Sequence, residues 1–161
     1  MSSLGDRFRP ERAAAIPEPS DEVETTRQKA NMNAERPLIT RTDFVFLPTT
    51  SFKKAEEFYG GVLGLTCSAR YRDDFGGEFE TGSLTIQVID SARIGREFAP
   101  SGGAIALHVD DVSAARAELE ARGVKFKGDT IDSGVCHQAI FEDQDGNALI
   151  LHHRYAPTNA A

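Results

Sequence analysis

Apolar and polar positions along the chain predict the same series of elements twice. In the first series, a nearly continuous apolar run at residues 43–47 is followed by proline, which is typical of a buried strand. Thr50 or Ser51 can cap the helix that follows, and Gly60 and Gly61 are expected to end it. Three strand candidates come next, at residues 65–72, 78–81 and 84–89, with turns at residues 76–77 and 82–83.

The second series begins with a strand at residues 104–109, after a connecting loop at residues 91–103. Asp111 is expected to cap the next helix, and Gly123 is expected to end it. Three further strands are predicted at residues 124–127, 135–141 and 148–153. Four pairs of positions share an offset of 60 residues, namely Phe44 and Ala104, Phe52 and Val112, Ala55 and Ala115, and Tyr59 and Leu119. The chain therefore contains a repeated unit of one strand, one helix and three strands.

Each unit is too small to bury both faces of its sheet alone, so the two units must pair. We predict an α+β fold of two paired βαβββ modules. The helices lie outside and cover one face of each sheet, and the opposite, concave faces form a cavity lined by mixed β-sheets. The predicted domain covers residues 38–161. Residues 1–37 contain almost no large apolar residues, so we expect a flexible or loosely helical N-terminal tail.

Composition excludes several classes of partner. A net charge of −7 argues against nucleic acid or an anionic membrane as an obligatory partner, because both require a basic face. No apolar run approaches the ~20 residues of a membrane span. Cys67 and Cys136 match neither a disulfide framework nor a metal-binding spacing. These features predict a cytoplasmic protein.

Three motifs resemble one protein family. Residues 58–65 are similar to its conserved helix end, residues 108–112 to the start of its second helix, and residues 143–147 to its Asp-Pro-Asp-Gly-Asn turn, with Gln144 in place of proline. In this order and spacing they resemble the glyoxalase/bleomycin-resistance/extradiol-dioxygenase superfamily, also called the vicinal oxygen chelate family. The resemblance covers roughly residues 40–155. It implies the fold, but this scaffold hosts isomerases, dioxygenases, thiol transferases and metal-free binding proteins.

The resemblance also implies where a metal would be bound. Metal-dependent members place a histidine on the first strand, a histidine on the fifth and a glutamate on the last. The matching positions here are Phe44, Ala104 and Ile150, and the fourth strand offers only Thr85 or Gln87. An apolar side chain has no lone pair for a metal, so we predict that the usual metal site is absent and that no cofactor is bound.

Two histidines remain as candidates for chemistry. Strand alternation places His108 on the face of Ala104 and Ala106, and His152 on the face of Ile150. The two could form a displaced metal site, or either could act as a general base; otherwise they line the cavity. We assign His108 and His152 as the candidate catalytic residues. The candidate ligand-binding residues are Phe44, Phe46, Gln87, Ala104, Gln138, Ile150 and Arg154.

The leading hypothesis is a protein that binds a small organic molecule in a largely apolar cavity without metal, as a drug-sequestering resistance protein does. The alternative is an enzyme, either a glyoxalase-like lyase or isomerase or a dioxygenase, with a divalent metal displaced to His108 and His152 or with a histidine as general base. A second alternative is a non-catalytic partner-binding domain that uses the tail. The resemblance also implies a homodimer.

Overall fold

The structure is a computed structural model that describes residues 38–157 of the 161-residue chain. The chain divides into two units, Met1–Arg41 and Thr42–Ala161. The predicted tail, residues 1–37, lies outside the described residues, and residues 38–41 contain no helix or strand. Within the described part of the chain, no helix is long and apolar enough to cross a membrane.

The first module contains one helix and a four-stranded sheet. Its strands are β1 (Phe44–Thr49), β2 (Thr66–Arg70), β3 (Gly76–Glu80) and β4 (Thr85–Asp90). Helix α1 (Phe52–Glu56) continues as a π-helical segment, Glu57–Val62. The strand order is β1-β4-β3-β2, in which β1 runs parallel to β4 and the other pairs are antiparallel.

The second module repeats this arrangement. Its strands are β5 (Ile105–His108), β6 (Ile131–Asp132), β7 (Cys136–Glu142) and β8 (Ala148–Arg154), and its helix is α2 (Val112–Ala121). The order β5-β8-β7-β6 matches the first sheet, and β5 runs parallel to β8. Short 3₁₀ segments, Arg72–Asp74 and Ser91–Ile94, lie in the connections of the first module. The predicted α+β fold of two mixed four-stranded sheets with helices outside is confirmed.

The two modules share one apolar core. It contains the apolar helix positions that the repeat predicts, together with the inward-facing strand residues. The largest of its fully buried side chains are Tyr59, Phe52, Phe79, Phe141, Leu47, Ile86 and Leu149. Because residues two apart along a strand share a face, the opposite face of each sheet carries the alternate set of side chains.

A polar network joins the modules at the turn between β7 and β8, residues 143–147 (the β7–β8 turn). The Tyr59 hydroxyl of the first module donates to the buried Asp143 carboxylate at 2.7 Å. Asn147 is fully buried, and its Nδ2 donates to the Pro48 carbonyl at 2.9 Å and to Asp143 at 2.7 Å. Its Oδ1 accepts from the Ser101 N–H at 2.8 Å. The hydrogen bonds of residues 143–147, the motif that resembles the family's turn, therefore link the two modules.

Two glycine predictions are wrong. Gly76 and Gly77 lie inside β3 instead of a turn. A Cβ on Gly76 would lie 2.4 Å from the Val88 carbonyl oxygen, and one on Gly77 would lie 2.5 Å from the Phe52 ring. Glycine is required there because neighbouring atoms approach the backbone closely.

The helix ends also differ in part from expectation. Residues 60 and 61 do not end the first helix, because the π-helical segment runs through them to Val62. Asp111 caps α2 as predicted, with its side chain accepting from Ser113 and Ala114 N–H. Ser51 occupies the N-cap position of α1, but its side chain makes no capping hydrogen bond.

The predicted strand at residues 124–127 is also wrong. The segment makes a single β-bridge, between Phe126 and Phe141, and the sixth strand is the later Ile131–Asp132. Phe126 packs its ring 5.2 Å from that of Phe141, so the apolar pattern there reflects core packing and not a paired strand.

Candidate functional site

The predicted histidines and Gln138 form one row across three neighbouring strands. His108 on β5 is the register partner of His152 on β8, which is in turn the partner of Gln138 on β7. Paired residues in a sheet start on the same side, so His152 and Gln138 project from the face opposite the core, whereas the His108 ring, at the end of β5, turns toward the His153 ring. The next row on this face contains Ala106, Ile150 and Ile140. We call this surface of the second sheet the β8 face.

The histidine side chains differ in their partners. The His153 ring, one residue further along β8, places its Nδ1 3.0 Å from the Val109 carbonyl oxygen, which fixes its orientation. The His108 ring lies 5.8 Å from the His153 ring, and its Nε2 is 3.7 Å from the Asp110 carboxylate. The His108 side chain is 70% exposed, so it is accessible to a ligand.

Arg154 and Cys136 extend the β8 face by one further row, in which they are register partners. Hydrogen bonds with the Ser133 hydroxyl and the Gln138 amide lower the pKa of the Cys136 thiol. Arg154 donates to the Pro157 carbonyl at 3.3 Å. Donor groups and a thiol thus lie beside the row of histidines.

The predicted residues of the first module lie on the matching face of the first sheet. Phe44 is paired with Thr85, and Phe46 with Gln87. Both aromatic side chains are exposed, at 51% for Phe44 and 38% for Phe46. We call this surface the β1 face. It presents two aromatic rings beside polar side chains.

The β1 face also carries polar residues that the sequence reading missed. The Gln87 amide donates to the Tyr71 hydroxyl at 2.9 Å, and Tyr71 donates to the Glu78 carboxylate. Burial and this hydrogen bond to Glu78 raise the pKa of the Tyr71 hydroxyl. Glu80 accepts from the Ser68 hydroxyl at 2.6 Å and from Thr85. The sequence does contain a pattern that predicts the position of these glutamates: Glu78 and Glu80 flank the buried Phe79, so both lie on the face opposite the core.

A larger cavity lies elsewhere, along the outer edge of β5 between the two modules. Its volume is about 690 Å³, and it is lined by β5, by α2, by the segment after α1 and by the turn between β3 and β4, residues 81–84 (the β3–β4 turn). We call it the β5-edge cleft. Of the residues predicted to face a cavity, it includes Ala106 and His108 only. A smaller cavity of about 380 Å³ is lined by Phe46 and Pro48 and by residues of the loop after β4.

Comparison with known protein families decides the classification. The model of the Glyoxalase/Bleomycin resistance protein/Dioxygenase superfamily matches residues 41–151, more than two thirds of the chain. The chain belongs to this superfamily. No curated protein matches the chain.

Solved structures of the superfamily share the fold at low sequence identity. One from Nocardioides, a glyoxalase/bleomycin resistance protein/dioxygenase, is 17% identical with a TM-score of 0.67, over 84% of this chain and 98% of that chain. TnmS3, an antibiotic binding protein from Streptomyces sp. CB03234, is 24% identical with a TM-score of 0.61, over 74% and 99%. Lactoylglutathione lyase from Agrobacterium tumefaciens is 18% identical with a TM-score of 0.60, over 73% and 95%.

The donor set of the superfamily's usual metal site does not fit these residues. Phe44 and Ile150 lie on the two faces with hydrocarbon side chains, and Ala104 immediately precedes β5. Between residues 38 and 157, no group of three or more His, Cys, Asp or Glu side chains is arranged to hold a metal ion. The described residues therefore do not supply the three or four ligands that such sites require.

Proposed function

We propose that this protein binds a small, largely apolar organic molecule without a metal ion. The observation that carries the proposal is the replacement of the superfamily's metal ligands by Phe44, Ala104 and Ile150. Such side chains cannot coordinate a metal, but they offer van der Waals contact to an aromatic or aliphatic ligand. Phe44 and Phe46 add exposed ring surface, which an apolar ligand would remove from water.

Polar side chains on the β8 face and the β1 face would orient the bound ligand. On the β8 face, His108, His152 and Gln138 offer hydrogen bonds from one row, and Arg154 adds a positive charge beside it. On the β1 face, Gln87 has a fixed position because Tyr71 accepts its hydrogen bond. A few polar groups on a mainly apolar surface are typical of small-molecule sites.

A second copy of the chain is part of this proposal. Phe44 and Phe46 form an exposed aromatic surface at the free edge of the first sheet. A homodimer would cover these rings and enclose the ligand. Light scattering of the full chain is expected to give the mass of a dimer, and replacing Phe46 by glutamate is expected to give a monomer. A wild-type monomer at micromolar concentration would contradict this part.

An antibiotic is the class of ligand to test first, because the structurally similar TnmS3 is an antibiotic binding protein. Calorimetric titration of the full chain with a panel of aromatic antibiotics is expected to give saturable binding. The His152→Ala variant is expected to weaken it about fivefold or more, since one hydrogen bond is worth about 1 kcal/mol. His137→Ala is the matched control, because His137 points away from the β8 face and pairs with Asp132 at 3.6 Å.

Metal independence is tested on the same protein. Millimolar Zn²⁺, Mn²⁺, Ni²⁺ or Fe²⁺ is expected to leave the melting temperature unchanged, whereas a bound ion would raise it by mass action. A specific rise for one metal that disappears in His108→Ala would overturn the metal-free proposal.

The second candidate is a lyase, isomerase or dioxygenase that uses His108 and His152. The observation that favours it is their direct register pairing on the β8 face. A divalent metal held there with Gln138 and water, or a histidine acting as general base, would supply the chemistry. Elemental analysis of untagged protein distinguishes the two candidates: a stoichiometric transition metal supports the enzyme, and a molar ratio near zero removes its metal-dependent form.

A further inference from the structure

The β5-edge cleft has the size and lining of a ligand site. Its volume of about 690 Å³ lies within the range of small-molecule pockets. Its wall includes aliphatic side chains from both modules, among them Leu63, Leu65, Leu84, Leu107, Leu119 and Leu151. His152, Gln138 and Arg154 of the β8 face are not part of this lining. The cleft shares Ala106 and His108 with the β8 face, but its other lining residues lie outside the surface assigned to the proposed function.

The wall of the cleft also presents backbone hydrogen-bonding groups. The Val109 N–H donates to the His152 carbonyl at 3.1 Å, so this residue bonds toward β8. In a parallel ladder, alternate residues bond to the same neighbour, which places Ile105 and Leu107 in the same phase as Val109. The peptide N–H and C=O of Ala106 and His108 then point toward the cleft. Within the described part of the chain, β5 has no strand on that side.

The two charged side chains that line the cleft, Arg122 and Glu118, neutralise each other. The Arg122 guanidinium pairs with the Glu118 carboxylate one helical turn away and also donates to the Val62 carbonyl at 2.6 Å. A cation or an anion entering this apolar space would lose hydration without gaining an unpaired counter-charge. The cleft is therefore electrostatically matched to an uncharged ligand.

We propose that the β5-edge cleft is a second binding site, for an uncharged apolar molecule that carries a secondary amide. The amide N–H and C=O pair with the backbone of Ala106 and His108 as a neighbouring strand would. The apolar body of the ligand lies between Leu107 and Leu119 on one side and Leu63 and Leu65 on the other. The amide supplies the donor and acceptor pair that the strand edge requires, and the hydrocarbon wall supplies the affinity.

Three small probes test the ligand chemistry on the full chain. N-benzylbenzamide has the amide and two apolar rings, benzyl benzoate replaces the N–H by an ester oxygen, and 4-(benzamidomethyl)benzoate keeps both rings and the amide and adds a carboxylate. We expect saturable binding of the benzamide, with chemical-shift changes at the backbone amides of Ala106 and His108. The ester is expected to bind about fivefold more weakly, and the carboxylate more weakly still. Equal binding of amide and ester, or no saturable binding of the benzamide, would overturn the proposal.

Two variants test the location. Ala115 lines the cleft from α2, whereas its neighbour Ala114 is exposed and does not. Ala115→Phe is expected to weaken benzamide binding at least about tenfold, and Ala114→Phe to leave it unchanged. Ser83→Trp, in the exposed β3–β4 turn at the cleft wall, provides a second obstruction if Ala115→Phe fails to fold.

The location test also separates this site from the proposed function. Loss of benzamide binding in His152→Ala, with no change in Ala115→Phe or Ser83→Trp, would assign the probe to the β8 face and refute the cleft site. Failure of the antibiotic panel in the presence of benzamide binding would refute only the proposed function.

Discussion

The β7–β8 turn and the β3–β4 turn occupy the same place in the two modules but meet the other module in opposite ways. The β7–β8 turn fills its interface with buried hydrogen bonds, in which Tyr59, Asp143 and Asn147 take part. At the β3–β4 turn the corresponding space remains open as the β5-edge cleft of about 690 Å³. The repeat preserves the backbone arrangement, whereas the side chains determine which of the two joints between the modules, at the β7–β8 turn or at the β3–β4 turn, is filled.

The difference begins at one pair of positions in the repeat. Tyr59 and Leu119 are 60 residues apart, and both are buried on the helix of their module. The tyrosine hydroxyl reaches across to Asp143, but leucine has neither the length nor the donor to do so. Thr81 in the β3–β4 turn instead bonds within its own turn, to the backbone of Leu84. One contact between the modules is thus closed by buried hydrogen bonds, and the other remains open.

Replacement of Asn147 is expected to lower the free energy of unfolding more than any other change considered. In Asn147→Ala, Pro48 and Ser101 lose their partner and Asp143 loses one buried donor. We expect the free energy of unfolding in urea to fall by about 3–4 kcal/mol, because several buried polar groups lose their bonds together. The matched change in the other turn, Ser83→Ala, is expected to cost less than about 0.5 kcal/mol. Similar losses in both turns would contradict the distinction between the joints.

Replacement of Tyr59 is expected to lower the free energy of unfolding by a smaller amount. Burial and the charge of Asp143 raise the pKa of the Tyr59 hydroxyl, so it remains a donor across the range in which the protein is folded. Tyr59→Phe removes one hydrogen bond to a buried carboxylate and is expected to cost about 1–3 kcal/mol. Tyr155→Phe is the control, because the Tyr155 hydroxyl bonds to Asp132 at an exposed position, 2.7 Å away. Equal destabilisation by the two changes would show that burial of the first bond has no effect.

Asp145 makes the same joint sensitive to acid. Burial raises the pKa of its carboxyl, but hydrogen bonds from Thr49, Thr50 and Gln144 outweigh burial and hold the pKa below its ordinary value. A depressed pKa in the folded state gives stability that is present above the unfolded value of about 3.9 and is lost as the pH falls through the folded value.

The Asp145→Asn variant isolates this contribution. It is expected to be about 1 kcal/mol less stable than wild type at pH 7, a figure that allows for solvent screening at this half-exposed site. The difference should shrink as the pH is lowered from about 5 to 3, measured by urea unfolding at each pH. A difference that stays constant over this range would show that the carboxylate charge does not stabilise the joint.

The sequence alone predicts the repeat of two modules and the face on which alternate strand residues lie, but it misplaces strand β6. Period-2 alternation predicts that His108 shares a face with Ala106 and that His152 shares one with Ile150, and the strand register pairs these residues accordingly. The position of Gln138 beside His152 follows from the family resemblance and agrees with the register. These features depend on local pattern, which each segment carries by itself. Two adjacent glycines at residues 76 and 77 predict a turn, but glycine is required there because the Phe52 ring and the Val88 carbonyl oxygen approach the backbone from distant elements.

The hydrogen bonds that join Gln87, Tyr71 and Glu78, and the cleft, could not be predicted from sequence for a similar reason. Tyr71 reaches Glu78 from beyond β2, past an irregularity in the β2–β3 register between Cys67 and Ala69. The cleft exists because the side chains between the modules leave a volume unfilled. Such a volume depends on how segments far apart in sequence pack, and no pattern within one segment records it.

Filling the β5-edge cleft is expected to change the free energy of unfolding least, and to raise it instead of lowering it. Ala115 lies on α2 beside the cleft and is only partly buried. Ala115→Leu would add aliphatic carbon against Leu63 and Leu65 without displacing a core side chain, because the space is already present. We expect a gain of about 0.5–1 kcal/mol in urea unfolding, below the full value for three buried carbons because the cleft is open to water.

The neighbouring Ala114→Leu, exposed on the same helix, should stay within about 0.5 kcal/mol of wild type. A loss of stability in Ala115→Leu would mean that the joint has little spare volume, and the two turns would then differ in polarity alone. A gain confined to Ala115 would mean that the open joint retains a volume whose filling would stabilise the protein. That is the result expected if the volume serves a ligand.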